Sequence, residues 1–298
     1  MVDYDLIIIG AGPAGMNACL YATRSDLKTL VIEKNCPGGK MIKTSKIENW
    51  ISSKEISGVD LALEMFKNAF SYGGEYIQGN VIDIINNEKY KEVILENKKY
   101  TCYSVIIATG TSERKLGIKG EEKFYGKGVS YCTICDAPLY KDKVVAVAGT
   151  SNKAAEEAMY LTKFARKVYF LNDKETLNYK ELDDKVEVIN NCKIESINGD
   201  GAVSSVTILR NGITKDIELS CIFPLYGDTP DTLLTSRLNL VNDKKYIVVN
   251  GKQETKIEGI YACGDCTENA LKQIITACSS GAIAATQAYK YISKIKAK

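Results

Sequence analysis

The apolar positions of this chain fall into two runs of one pattern. The first is an apolar stretch, Leu6-Ile7-Ile8-Ile9, that stops at Gly10. It gives way to a helical stretch reaching about Arg24 and then to Thr29-Leu30-Val31-Ile32-Glu33. The second is Val144-Val145-Ala146-Val147-Ala148-Gly149, followed by a helical stretch from about Lys153 to Phe164 and by Val168-Tyr169-Phe170-Leu171. Unbroken apolar runs closed by glycine suit parallel strands buried on both faces. Each segment therefore predicts strand, glycine turn, helix, strand: a βαβ unit opening a doubly wound sheet. Over residues 154–165, Ala158, Leu161 and Ala165 share one face while Glu156, Glu157 and Lys163 lie elsewhere, as an amphipathic helix requires. Shorter runs at 186–189, 203–209 and 217–225 sit between turn signals and predict added β-ribbons.

Towards the C-terminus a further glycine turn, Tyr261-Ala262-Cys263-Gly264-Asp265, precedes a small-residue helix predicted over 271–289. A terminal segment of that kind is expected to complete the first unit, which makes the second an insertion. The expected fold is α/β, with two Rossmann-like domains of three ββα layers. Residues 1–113 with 243–298 form one domain and 114–242 the other, joined by strands near 111–117 and 240–246. The basic tail, 290–298, reads as a solvated helix end. A length of 298 residues fits two domains, each able to bury its own core.

Composition removes several chemistries. The chain has ten cysteines and no histidine, which excludes Ser-His-Asp and Cys-His nucleophile pairs, histidine proton shuttles and histidine-ligated zinc or haem. Acid–base work falls to Asp, Glu, Lys, Tyr or Cys. A net charge of +2 gives bulk electrostatics no bias towards nucleic acid or membrane. The start of the chain lacks the basic region and cleavage site of a signal peptide, and no apolar run reaches a membrane span. The expectation is a cytoplasmic protein whose cysteines are mostly buried thiols, so that only close pairs merit a redox or metal reading.

Gly10-Ala11-Gly12-Pro13-Ala14-Gly15 follows a strand and opens a helix, and Glu33 lies 23 residues after Gly10. Glycines permit the tight turn and the close approach of a pyrophosphate to the helix N-terminus, and the acid accepts from a ribose hydroxyl. The segment predicts dinucleotide binding. Cys132-Thr133-Ile134-Cys135-Asp136 is the second centre. A C-x-x-C pair can close a small disulfide, exchange with an incoming dithiol and pass electrons to or from a flavin. In a chain without histidine, Asp136 is the natural candidate to protonate the leaving thiolate. The competing reading is a four-thiolate metal site shared with Cys263 and Cys266. It is weakened by the position of that second pair inside a glycine turn.

These motifs, with Cys36-Pro37-Gly38-Gly39-Lys40, Ile47-Glu48-Asn49-Trp50, Ala108-Thr109-Gly110, Gly128-Val129-Ser130-Tyr131 and Leu271-Lys272-Gln273-Ile274, occur in the order found in the low-molecular-weight thioredoxin reductases. The chain resembles that family over essentially its whole length. The resemblance implies FAD in the first domain and a redox pair, Cys132 and Cys135, in the inserted domain that reduces thioredoxin. Cys135 would face the flavin. It carries cofactor contacts onto Gly10, Gly12, Pro13, Ala14, Gly15, Glu33, Lys34, Gly39, Lys40, Asn49, Val81, Ala108, Thr109, Gly110, Gly264, Asp265, Lys272, Gln273 and Ile274, and it implies no metal. It also implies a homodimer whose inserted domain rotates.

The second unit departs from the family pattern. Its turn reads Gly149-Thr150-Ser151-Asn152-Lys153-Ala154, with Ser151 where the central glycine is expected. The basic cluster that holds a 2′-phosphate in the family falls here on residues 172–178, Asn172-Asp173-Lys174-Glu175-Thr176-Leu177-Asn178. No arginine or histidine remains there, and bidentate arginine is the usual phosphate clamp. In this respect the chain resembles the ferredoxin-dependent flavin thioredoxin reductases, and the expected donor is reduced ferredoxin, since flavins bridge one-electron donors and two-electron disulfide chemistry. The alternatives are NADPH as donor, a flavin dithiol oxidase using oxygen, and a non-catalytic flavin-binding scaffold.

Overall fold

The computed structural model describes every residue except Met1, Ser45, Leu177, Asn178, Lys180 and Lys298. The chain folds as two compact units, Met1–Ser112 with Thr229–Lys298, and Glu113–Asp228. In chain order the first unit begins β1 (Tyr4–Ile9), α1 (Pro13–Arg24), β2 (Thr29–Glu33), α2 (Gly58–Phe70), β3 (Glu75–Gln78), β4 (Val81–Asn86), β5 (Lys91–Leu95) and β6 (Lys99–Ile107). β7 (Thr111–Glu113) leads out. The second unit holds α3 (Thr133–Asp136), β8 (Val144–Ala148), α4 (Asn152–Leu161), β9 (Lys167–Leu171), β10 (Val186–Ile189), β11 (Cys192–Asp200), β12 (Ala202–Arg210), β13 (Ile213–Glu218) and β14 (Cys221–Pro224). β15 (Asp228–Pro230) leads back to β16 (Ile260–Ala262) and the long α5 (Ile274–Lys296).

The first sheet runs β3-β2-β1-β6-β5-β4, with β16 also paired to β6. β6 serves two partners on one side: Lys99–Cys102 meets β5 antiparallel, and Val105–Ile107 meets β16 in parallel. Alternation along β1 then divides the core. Leu6 and Ile8 pack with Met16, Ala18, Ala284 and Ala288 of α1 and α5, while Ile7 and Ile9 pack with Val93, Leu240 and Ile247 on the other face. The second unit repeats the scheme. Val145 and Val147 of β8 meet Ala154 and Ala158 of α4, and Ala146 and Ala148 meet Ile194, Val206 and Ile208 of the antiparallel β11-β12-β13 sheet. The second unit is a parallel sheet between a helical layer and a β layer. In the first, the parallel part of one mixed sheet carries helices on one face and its own antiparallel β4–β5 end, with Leu240 and Ile247, on the other. Full burial of each such Val or Ile contributes about 1.5–3 kcal/mol, so neither layer can be stripped without losing the sheet.

Several predicted elements take a different form. Residues 186–189 are not a ribbon but β10, the parallel edge strand beside β9. Residues 217–225 divide between the end of β13 and β14, which runs parallel to β8. The chain returns to the first unit at Thr229 and not at 243, because Leu234 and Leu240 bury their side chains in the first unit's core. Its two crossings pair as a β7–β15 ribbon. The expected 240–246 strand is instead a bridge between Val241 and Ile247. The tail is not merely solvated: α5 runs to Lys296, Ile292 is fully buried, and Lys296 pairs with Asp5 at 2.8 Å.

α5 lies close over α1. Asn17 Nδ2 donates to the Cys278 carbonyl at 2.7 Å, and a Cβ on Gly281 would stand 2.2 Å from the Ala14 carbonyl oxygen. That oxygen is helix backbone and cannot yield. Gly281→Ala is expected to lower the unfolding free energy by about 3 kcal/mol in urea titration. A variant within about 0.5 kcal/mol of wild type would show that the helices can separate.

Candidate active site

The first centre is the β1–α1 turn. Gly10 adopts φ +104°, and a Cβ there would stand 2.4 Å from the Ala108 carbonyl oxygen of the strand next door. A Cβ on Gly15 would stand 1.9 Å from the Gly10 carbonyl oxygen. These contacts seat the helix directly on the turn. The N-cap of α1, Gly12, offers no side-chain cap, and the space around its missing Cβ is open. The first amides of α1 are therefore free to meet an anion, reinforced by the helix dipole. Pro13 at the first helical position withdraws no useful donor.

Glu33, at the end of β2, accepts from the Ala11 amide at 2.8 Å and from the Asn35 amide at 2.8 Å. It is thus fixed beside the turn, with lone pairs left for a hydroxyl. Gly38 donates its amide to the Ala11 carbonyl at 2.8 Å, bringing Gly39 and the half-buried Lys40 over the turn. Gly264 lies against Ala14 and donates to Ser280 at 2.9 Å, which places Asp265 at the same end of α1. Asn49 donates to Gln273 at 2.9 Å, and Gln273 caps α5 in a reciprocal box with Thr276, with Ile274 packed on the core behind it.

The remaining predicted contact residues also have partners within the protein. Val81 is buried in the core of the opposite layer. Lys34 is ion-paired to Asp231, whose carbonyl also accepts from Thr109 at 2.6 Å and whose amide bonds Gly110. Lys272 donates to the Tyr246 hydroxyl at 2.7 Å and lies over its ring. Asp231 and Tyr246 carry no motif, so nothing in their local sequence marks them.

The second centre is the Cys132–Cys135 disulfide, with Cα atoms 5.3 Å apart. Cys132 is the N-cap of α3, and its Sγ accepts from the Cys135 amide at 3.2 Å. Ser130 Oγ accepts from the Cys132 amide at 3.2 Å. Upstream, the buried Glu121 accepts from the Leu116 and Gly117 amides, both at 2.8 Å, and from the Tyr131 hydroxyl. It ties the preceding loop to the residue before Cys132. Asp136 Oδ1 is buried without a hydrogen-bond partner. Burial raises its carboxyl above the usual range, and contact with Ser130 pulls it partly back. Burial thus favours the protonated carboxyl more than an exposed site would.

The chain matches the pyridine nucleotide-disulphide oxidoreductase family model over residues 4–281. It is 38% identical to a thioredoxin reductase of Listeria innocua, covering 98% of this chain and 95% of that one. The crystal structure of thioredoxin reductase from Streptococcus pyogenes superposes with a TM-score of 0.94 at 38% identity, over 98% of both chains. The chain belongs to the thioredoxin reductases of this disulphide oxidoreductase family. A ferredoxin-flavin thioredoxin reductase from Clostridium acetobutylicum is also similar, with 32% identity, a TM-score of 0.57 and 99% coverage of both chains. The family is FAD-binding, and the bare α1 terminus, the open space at Gly12 and the fixed Glu33 fit that cofactor.

Within this thioredoxin reductase the second glycine turn is differently equipped. Ser151 caps α4 and accepts from the Ala154 amide at 3.2 Å. Asn172, the positional counterpart of Glu33, is fully buried. It donates to Asn190 at 2.9 Å and accepts from the Lys174 amide at 3.1 Å. Leu177 and Asn178, the end of the predicted phosphate-clamp segment, lie outside the described residues. Among the described residues no cluster of three or more metal-ligating side chains occurs. Cys263 and Cys266 are buried free thiols of the first unit, Cys266 being pushed up to about 11 by burial.

A carboxyl raised by burial costs stability above its folded pKa, where the ion is forced into the site, and nothing below the ordinary value of about 3.9. Asp136→Asn is therefore expected to melt above wild type at pH 8, with the gain gone near pH 3, while thioredoxin reduction falls about 100-fold. A lower melting temperature at pH 8 with unchanged turnover would assign Asp136 a purely structural place.

Proposed function

We propose that the chain is a flavin-dependent thioredoxin-disulfide reductase whose electrons come from reduced ferredoxin. FAD, when bound, supplies the electron pair that opens the Cys132–Cys135 disulfide. Gly10, Gly12, Gly15, Glu33, Gly39 and Asp265 hold it in this reading, with Asn49 and Gln273 near the ring. Cys135 is the thiol facing the cofactor, and Cys132 the thiolate that attacks the thioredoxin disulfide. Attack forms a mixed disulfide and releases one thioredoxin thiolate, which Asp136 protonates. Cys135 then displaces the second thioredoxin sulfur, re-forming Cys132–Cys135 and releasing the dithiol. The active form in this reading is a cytoplasmic homodimer, and no helix among the described residues is long and apolar enough to cross a membrane.

The donor assignment rests on one contrast. The α1 amides are uncapped beneath Gly12, whereas the Ser151 hydroxyl already occupies an α4 amide. A pyrophosphate there would have to displace its own cap, worth about 1 kcal/mol. Nor is the buried Asn172 free to accept from a ribose hydroxyl, and Asp173 would repel a 2′-phosphate. The similarity to the ferredoxin-flavin thioredoxin reductase of Clostridium acetobutylicum supports the same donor class. Family membership among the pyridine nucleotide enzymes, and the greater similarity to the Listeria innocua and Streptococcus pyogenes thioredoxin reductases, favour NADPH as the second reading.

Anaerobic titration separates the two. Reduced ferredoxin is expected to bleach the bound flavin stoichiometrically, and NADPH at micromolar concentration to leave it oxidised. Rapid stoichiometric bleaching by NADPH would sink the ferredoxin reading and leave the thioredoxin chemistry intact. Cys135→Ser should abolish thioredoxin reduction with either donor.

A further inference from the structure

The two residues between the cysteines are not alike. Ile134 is exposed, but Thr133 is buried, and its hydroxyl donates to the Glu157 carboxylate on α4. Glu157 stands 24 residues away in sequence and belongs to none of the motifs discussed above. It is half-buried. Burial pushes its carboxyl up, and Lys153, one turn earlier on α4, pulls it back down. The one polar side chain inside the C-x-x-C span is thus held by an acid on a different helix.

We propose that Glu157 is a positioning residue for the disulfide couple: through Thr133 it holds the span between Cys132 and Cys135, and its carboxylate makes the couple more reducing. The physical reason is charge. Opening the disulfide takes two electrons and two protons, and it leaves sulfurs with thiolate character that the closed disulfide lacks. A carboxylate one hydroxyl away from the residue after Cys132 disfavours that negative charge and so favours the closed form. A reductase profits, because a lower potential drives electrons on to the thioredoxin disulfide.

The inference rests on Cys132–Cys135 being the redox pair, but its test needs neither electron donor nor thioredoxin. The holoprotein is equilibrated at pH 7.5 in mixtures of reduced and oxidised dithiothreitol. There the two dithiothreitol thiols give up two electrons and two protons and close a ring as the protein disulfide opens. Acid quench, alkylation and mass spectrometry of the peptide carrying both cysteines give the equilibrium constant. Glu157→Gln keeps an acceptor for Thr133 and removes only the charge. It is expected to shift the constant about tenfold towards the dithiol, which is about 30 mV for a two-electron couple. Thr133→Ala should shift it in the same sense, and Thr133→Ser should restore it to within about twofold of wild type. A constant within about twofold of wild type in Glu157→Gln, with flavin content retained, overturns the proposal. Should Glu157→Gln fail to fold, equal constants for Thr133→Ala and Thr133→Ser overturn it instead. Loss of the disulfide reductase reading would appear separately, as thioredoxin reduction surviving Cys135→Ser.

Discussion

Backbone resting on backbone at the β1–α1 turn is the constraint on which the first unit depends. Gly10 lies against the Ala108 carbonyl, Gly15 against the Gly10 carbonyl, and Gly281 against the Ala14 carbonyl. No side chain larger than hydrogen fits at any of the three. The contacts fix how α1 leaves the sheet, how near α5 comes to it, and where Gly264 and Asp265 arrive from the far end of the chain. They also leave α1 with bare amides at one end, which is what an anionic cofactor needs. The small side chains along α1 and α5 follow from the same closeness, since Ala14, Ala18, Ala284 and Ala288 are what two helices this near can accommodate.

The second unit uses the same frame to a different end. Its β8 alternates between a helical and a β layer as β1 does, yet Ser151 closes the helix terminus that Gly12 leaves open, and Asn172 is turned into the protein by Asn190 and Lys174. One hydroxymethyl group converts an anion seat into an ordinary capped helix. The chemistry of this unit lies in α3, where Cys132 caps the helix that Cys135 belongs to. Burial leaves one Asp136 oxygen unpartnered there and raises its carboxyl above the ordinary range. Glu121 before the pair and Glu157 beside it hold the loop by accepting from backbone amides and hydroxyls. Two carboxylates therefore do part of the orienting that histidine does in other thiol enzymes.

Much of this is legible in the sequence alone. Both βαβ units, the inserted order of the domains and the C-x-x-C with its adjacent acid could be read directly, because glycine turns and unbroken apolar runs are local signals. The elements that differ share one cause. Residues 186–189 and 217–225 are short apolar runs whose partners lie far away in sequence, and such runs read alike whether they pair in parallel or as ribbons. The return of the chain to the first unit at Thr229 depends on Leu234 and Leu240, which look like any apolar residues until their core is known. Asp231 and Tyr246, the partners of Lys34 and Lys272, carry no motif and stand out only once the fold brings them together.

The sequence by itself determined which chemistries were open: no histidine, one dinucleotide turn with its acid, one paired dithiol with an aspartate, and a second turn without its glycine or its arginines. These are matters of composition and short spacing, and no folding can change them. Tertiary structure alone decided which groups act on one another. Glu157 reaches Thr133, Asn49 meets Gln273, and Asn172 is spent on Asn190, because packing two layers against each sheet brings together residues separated by 18 to 224 positions. Hydrogen bonds and desolvation act over a few ångströms of space, and distance along the chain does not report that separation.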